Sequence, residues 1–265
     1  MPRARDFVDA LLPNRVVSRA TIQLIAVVWA VLALLVWWRS PFRVLPQPGE
    51  VFRALGDLWA HQGLGRELGT SVGLNLEALG ITLAISLVLS YGTVLPALRP
   101  LVAAISKGRF LGLIGLTLVF TLVVGGGHPL KVSLLVFGMT VFFVTSMAEE
   151  VAQVPRARFD HARTLRMSEW QVVWEVVVHG TADRAIEVFR QNAAIGWMML
   201  TMVEGISRSE GGVGAMLLNQ NKHFHLAQVF AIQILILVVG LVQDYAIGVV
   251  KRFLLPHADL GRERR

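Results

Sequence analysis

The side chains able to do chemistry are few and far apart. His223 and His225 stand two residues apart, a spacing that on a strand or loop lets two imidazoles share a metal. No third ligand accompanies them, and the plainer reading is an exposed loop. The absence of cysteine excludes disulfides and thiolate metal sites. There is no Gly-x-x-x-x-Gly-Lys-Ser/Thr loop to cradle a phosphate, no Gly-x-Ser-x-Gly and no His-Glu-x-x-His. No catalytic residue and no metal site follows, so the chain is expected not to be an enzyme and to carry no cofactor of its own.

Three other features stand out. Arg190, Trp197 and Glu204 lie along one apolar stretch. Arg190 and Glu204 are about 21 Å apart if that stretch is a helix, too far to pair. Charged groups in a span are costly in lipid and often functional. Arg190 either faces a pathway, snorkels to the near surface or binds a neighbouring helix; Glu204 falls near the opposite mouth. Second, Phe159, Ala162 and Leu165 recur every third residue and give one apolar face, with Asp160, Arg163, Arg166 and Met167 interleaved. Third, Gly125, Gly126 and Gly127, and Gly211, Gly212 and Gly214, read as turns that need positive φ.

The elements that must position these residues are membrane helices. The chain is 54% hydrophobic and 16% charged, against about 25% charged in soluble domains, and its apolar residues fall in long uncharged blocks. A spanning helix needs about 20 mostly apolar residues. Six candidates follow, over 21–38, 71–95, 110–124, 132–147, 186–203 and 228–250. The first follows Arg3, Arg5, Arg15 and Arg19 and has no small-residue cleavage site after it, so it reads as a retained helix.

Of the Lys and Arg residues, 17 fall on one side, in 1–20, 99–109, 149–185 and 251–265. On the other side are 7, in 39–70, at Lys131 and in 204–228, with Arg190 inside a span. The positive-inside rule then puts both termini in the cytoplasm. The layout is a cytoplasmic segment 1–20, a transmembrane domain 21–255 with a cytoplasmic loop 149–185, and a cytoplasmic tail 256–265. The net charge of +7 is spread between apolar blocks and forms no continuous patch, which argues against nucleic acid as a partner.

Two segments outside the spans have form of their own. In 45–60, Val51, Phe52, Leu55, Leu58 and Trp59 share a face opposite Glu50, Arg53 and Asp57, the pattern of a helix lying in the outer interface. In 155–179, Pro155 suits a first helical turn, and Ser168 with Gln171 makes a capping box, so two short helices joined near Arg166–Ser168 are expected.

The loop 155–179 resembles the EAA loop of binding-protein-dependent ABC transporter permeases. The family pattern runs Glu-Ala-Ala, three residues, Gly, nine residues, then Ile-x-Leu-Pro. Here Asp160, His161 and Ala162 stand for the first part, Arg166 for the glycine, and Val176, Val178 and His179 for the last. Leu45–Val51 resembles the Leu-Pro-Ser-Pro-x-Glu-Val segment of the nitrate, sulfonate and taurine branch. Residues 124–132 resemble its Phe-Gly-Ile-Gly-x-x-x-Lys-Ile, Arg190, Trp197 and Glu204 fall at the spacing of its Leu-Arg…Trp…Ala-Glu-Met segment, and 211–217 resembles its Ser-Gly-Leu-Gly-Tyr-Leu-Ile. Together these cover the chain from about residue 45 onward.

The resemblance implies a type I importer fold, all α-helical in the inner (plasma) membrane of a bacterium. Its partners would be ABC ATPase subunits carrying the ATP and Mg, a second permease subunit, and an extracytoplasmic solute-binding protein. Phe159, Asp160, Ala162, Arg163, Leu165, Arg166 and Met167 would form the coupling helix that docks in an ATPase cleft. Arg190, Trp197 and Glu204 would belong to the translocation path or gate, and the solute would be small, such as an organic or inorganic anion. Arg166 and His179 depart from the family Gly and Pro. Either the turn is built differently or coupling is unusual, and a degenerate half that works beside a different permease is the alternative. An ATP-independent transporter or membrane enzyme would show several carboxylates or histidines at the bilayer midplane, and the span interiors hold almost none.

Overall fold

The computed structural model describes residues 12, 17–39, 44–207 and 210–254, and among these every regular element is helical. The tail 256–265, most of the segment 1–20 and Arg208 lie outside the described residues.

In chain order the helices are α1 Arg19–Trp38, α2 Pro48–His61, α3 Leu64–Gly92, α4 Arg99–Lys107, α5 Leu113–Val124, α6 His128–Ala152, α7 Arg156–Thr164, α8 Glu169–Val172, α9 Ala182–Ile206, α10 Val213–Lys222 and α11 Leu226–Leu254. Short 3₁₀ turns flank α4 at Pro96–Leu98 and Gly108–Phe110. A π turn over Val173–Val178 and a 3₁₀ turn over His179–Thr181 join α8 to α9.

Four helices, α1, α3, α6 and α11, are long and apolar enough to cross a bilayer; α5 joins them only if it counts as one span with Pro96–Phe110, to which it is bent by 117°. Among the described residues the chain is thus helical with four to five long apolar segments, consistent with a multi-pass membrane protein. The expected third span is shorter than its apolar block suggested. Gly112 is extended, at φ −72° and ψ 129°, and α5 holds 12 residues, about 18 Å against the roughly 30 Å of a hydrocarbon core. The expected fifth span is a 25-residue helix, α9, but Asp183, Arg184, Glu187, Arg190 and Glu204 keep it from being apolar throughout. Helices α6 and α11 outrun their apolar blocks at both ends, α1 starts two residues early, and α3 starts at Leu64 but stops at Gly92, short of the expected end.

Helix directions follow from side-chain bonds. Ser71 of α3 meets Glu204 at one end of α9, while Tyr91 meets Thr181 at the other. Asn192 donates to the Met139 carbonyl of α6 at 3.2 Å, and Arg184 pairs with Glu150. Asp244 and Lys251 of α11 reach Arg190 and Glu187. So α3, α6 and α11 run one way and α9 runs against all three.

The core lies between them, with Leu74, Ala78 and Leu79 of α3, Leu134, Leu135 and Met139 of α6, Trp197 and Leu200 of α9, and Ile232 of α11. In lipid such a core is held by close packing and hydrogen bonds more than by water exclusion. Gly196 serves that packing: a methyl there would lie 2.9 Å from Met139 Sδ.

Side chains of α1 are almost all exposed, which suits a helix whose solvent is lipid. Trp37 ties it to the body by donating from Nε1 to the Pro46 carbonyl at 3.0 Å. Helix α2 forms as expected, with Pro48 at its first position and Glu50 accepting from the Gln47 N–H at 2.9 Å. Its buried face differs, however. Val51, Ala54 and Leu58 point inward, and Phe52 and Trp59 are exposed, because α2 lies along α11 instead of standing alone at an interface.

Candidate functional site

The candidate residues gather at the two ends of the bundle. At the cytoplasmic end of the expected topology, α7 and α8 form the two short helices read from the sequence. Ser168 Oγ accepts from the Gln171 N–H, and Gln171 Oε1 accepts from the Ser168 N–H at 2.8 Å, closing the capping box. Pro155 is the residue just before α7, not its first turn.

The turn between the helices is built on Arg166, whose φ is 58°. The Met167 N–H donates to the Ala162 carbonyl at 3.4 Å and the Arg166 N–H to the Arg163 carbonyl at 2.9 Å. That pair of bonds is a Schellman cap, with Arg166 at the left-handed position that glycine usually fills. The backbone therefore turns as a glycine would turn it, at about 1 kcal/mol of strain. Helical turns continue through His179, over 173–181, into α9.

The expected apolar face of α7 is divided. Ala162 is buried where α7 packs on the following helical segment, Phe159 is half-buried, and Leu165 is exposed. Ala162 is thus used within the chain and does not offer itself to a partner. Met167 is half-buried and Asp160 exposed. The outward apolar groups are Leu165, with Trp170 and Trp174 beyond it. Arg163 is also engaged internally: its Nε and Nη2 reach the two oxygens of Glu169 at 3.0 and 3.1 Å, and Asp160 lies 3.6 Å away. The hydrogen bond and charge of Arg163 hold the Glu169 carboxyl below its usual range. Glu169 raises Arg163 in the same order of causes. Arg166 has no partner among the described residues.

At the outer end, Glu204 is fully buried. It accepts from Ser71 Oγ at 2.6 Å and from the Gly214 N–H at 2.8 Å, while Ser71 Oγ accepts from the Val213 N–H at 2.8 Å. Glu67 accepts from the Gly212 N–H. Lys131, also buried, donates to the Gly211 carbonyl at 3.0 Å. Free N–H groups at a helix start attract carboxylates, and here two carboxylates hold the entry to α10. Gly211 and Gly212 have φ of 72° and 108°, as the sequence suggested. A methyl at Gly212 would collide with Glu204, and one at Gly214 with the Thr201 carbonyl.

The other two gate candidates are joints between helices. Trp197 is buried and donates to Gln243 Oε1 at 2.8 Å; Asn75 donates to the same oxygen at 3.1 Å, so α3, α9 and α11 meet at one acceptor. Arg190 Nε donates to Asp244 at 2.6 Å, and Arg190 also faces Glu187 at 3.7 Å. Of its three possible roles, binding a neighbouring helix is the one seen. His223 and His225 lie in the turn between α10 and α11, with ring centroids 5.9 Å apart.

Sequence reading missed Glu67, Asn75, Lys131 and Gln243. A signal was available for one of them: Ser71, Asn75, Thr82, Ser86 and Ser90 fall on one face of α3, and all are buried. Compared with known families and characterised proteins, the chain matches no family model and no curated protein.

Proposed function

We propose that the chain is the transmembrane permease subunit of an ABC importer of the type I fold. It forms, with a second permease subunit, the path for a small solute such as an organic or inorganic anion. It couples through residues 155–179 to separate ATPase subunits that hold the ATP and Mg, and it receives solute from an extracytoplasmic binding protein. The observation that carries the reading is Arg166. At the position of the family glycine, the backbone has the conformation a glycine would give, φ 58°, within a short cytoplasmic helical hairpin. The exposed Leu165 at the tip then serves as the apolar contact for the ATPase.

Parallel helices support six crossings. Since α3, α6 and α11 run the same way, the chain must return twice, once through α4–α5 and once through α9. The charges of α9 are compatible with a crossing, because Arg190 and Glu204 both have partners on neighbouring helices.

Purification of the tagged full chain from its native membrane tests the proposal. A chain with a Gly-x-x-x-x-Gly-Lys-Ser/Thr loop should co-purify, and MgATP hydrolysis should follow that chain through fractionation. Repeated absence of any ATPase, or hydrolysis by the rigorously purified single chain, would overturn it.

A further inference from the structure

A cleft of about 960 Å³ opens at the cytoplasmic end, between α4, the last turns of α6 and the α7–α8 hairpin. Arg99, Lys107, Arg109 and Arg156 line it, and none has a carboxylate partner among the described residues. Arg99 donates from Nε to the Thr93 carbonyl at 2.9 Å, and Arg109 sits over the Phe110 ring at 5.2 Å. Two carboxylates face the same space. Glu169 is taken by Arg163, which leaves Glu149 against four cations. A concave site with one sign of charge focuses the field and concentrates counter-ions.

The rim is apolar on one side. Phe110 lines the cleft and is 78% exposed, and Leu111 and Ile114 continue outward from it, also exposed. Those residues lead into α5, the apolar arm of the bent pair. On the orientation expected from the Lys and Arg counts, the cations fall at headgroup level and the rim where acyl chains run.

We propose that this cleft binds the phosphate-bearing headgroup of an anionic phospholipid of the cytoplasmic leaflet, with its acyl chains along Phe110, Leu111 and Ile114. A free phosphate offers the same charge but leaves that rim uncovered, so the lipid is the occupant the geometry favours. The site rests on the orientation given above and not on ATPase coupling. It joins two elements: Lys107 and Arg109 follow from α4, and Arg156 opens the coupling hairpin. A bound lipid bridges them and limits hairpin motion.

The test is native mass spectrometry of the full chain, with whatever co-purifies, after delipidation and add-back. Phosphatidylglycerol should be retained at least about tenfold more tightly than phosphatidylcholine, and the double change Lys107→Gln with Arg109→Gln should remove most of that preference. Arg156→Gln alone should reduce it, while Arg53→Gln, on the exposed face of α2, should leave it unchanged. Equal retention of the two lipids, or a full preference in both cleft variants, overturns the proposal. So does displacement of phosphatidylglycerol by inorganic phosphate that binds the cleft in its place. Retention is read on the chain itself, so this result stands apart from whether an ATPase co-purifies.

Discussion

The two ends of the bundle are organised in opposite ways. At the outer end, two carboxylates, a lysine and three glycines converge on the start of α10, and Lys131, Ser71 and Glu204 are fully buried. At the end that the expected topology places in the cytoplasm, the α7–α8 hairpin is held by an exposed ion pair, a capping box and one left-handed arginine, with Leu165, Trp170 and Trp174 facing outward. Buried charge tolerates little rearrangement, because an unpaired member costs several kcal/mol. Surface pairs cost little to break. The difference separates a rigid joint from a lightly held hairpin whose apolar groups face outward.

The comparison breaks first at Glu204. Glu204→Ala leaves the Ser71 hydroxyl and the Gly214 N–H without their carboxylate acceptor in a fully buried site, and should cost about 3 kcal/mol. Thermal unfolding of the detergent-purified chain should show a large loss of stability. A shift no larger than that of an exposed α1 substitution such as Val28→Ala would mean that the outer end is not a rigid joint.

Gly214→Ala should come next, at about 2 kcal/mol, because the new methyl meets backbone that cannot swing away. Limited proteolysis should then open the chain near α10 and leave the hairpin unaffected.

At the hairpin the effects should be smaller and of mixed sign. Arg166→Gly relieves the left-handed strain but frees the unfolded chain, for a net gain below about 1 kcal/mol. Slower hydrogen exchange over 162–168 would show it. The Arg163–Glu169 pair should respond to pH. The folded Glu169 carboxyl lies below its ordinary value, so the unfolded hairpin binds protons first as pH falls. Its contribution is full above the ordinary glutamate range and is lost as pH drops through the lowered value. Protection over 165–172, taken relative to the intrinsic exchange rate at each pH, should fall in acid, and Glu169→Gln should abolish that response. An unchanged acid response in the variant would assign it to another group.

Sequence reading located the helices because apolar blocks and the Ser168–Gln171 box are local signals. It found the positive-φ turns at Gly125, Gly127, Gly211 and Gly212, but Gly126 does not adopt one, and Gly214 lies within α10, where close packing and not a turn asks for glycine. It overran at the third span, where hydropathy does not register the break at Gly112. It misjudged Ala162 because a three-residue apolar repeat defines a face without saying what covers it, and here the chain covers it itself. Asn75 and Gln243 meet 168 residues apart in sequence, and no local pattern pairs them. Arg166 shows the converse: the residue type argued against a glycine-like turn, yet neighbouring caps impose one.

The central claim is that the hairpin tip meets an ATPase. Because the chain has no cysteine, single-cysteine variants report one position each. Leu165→Cys, treated with a short bifunctional thiol-reactive and amine-reactive reagent in native membranes, should cross-link to a chain carrying a phosphate-binding loop. Phe52→Cys, exposed on α2 at the opposite side, should give no such product. An ATPase adduct at position 165 alone is the result this account predicts; no adduct there, with reagent shown to reach the thiol, would contradict it.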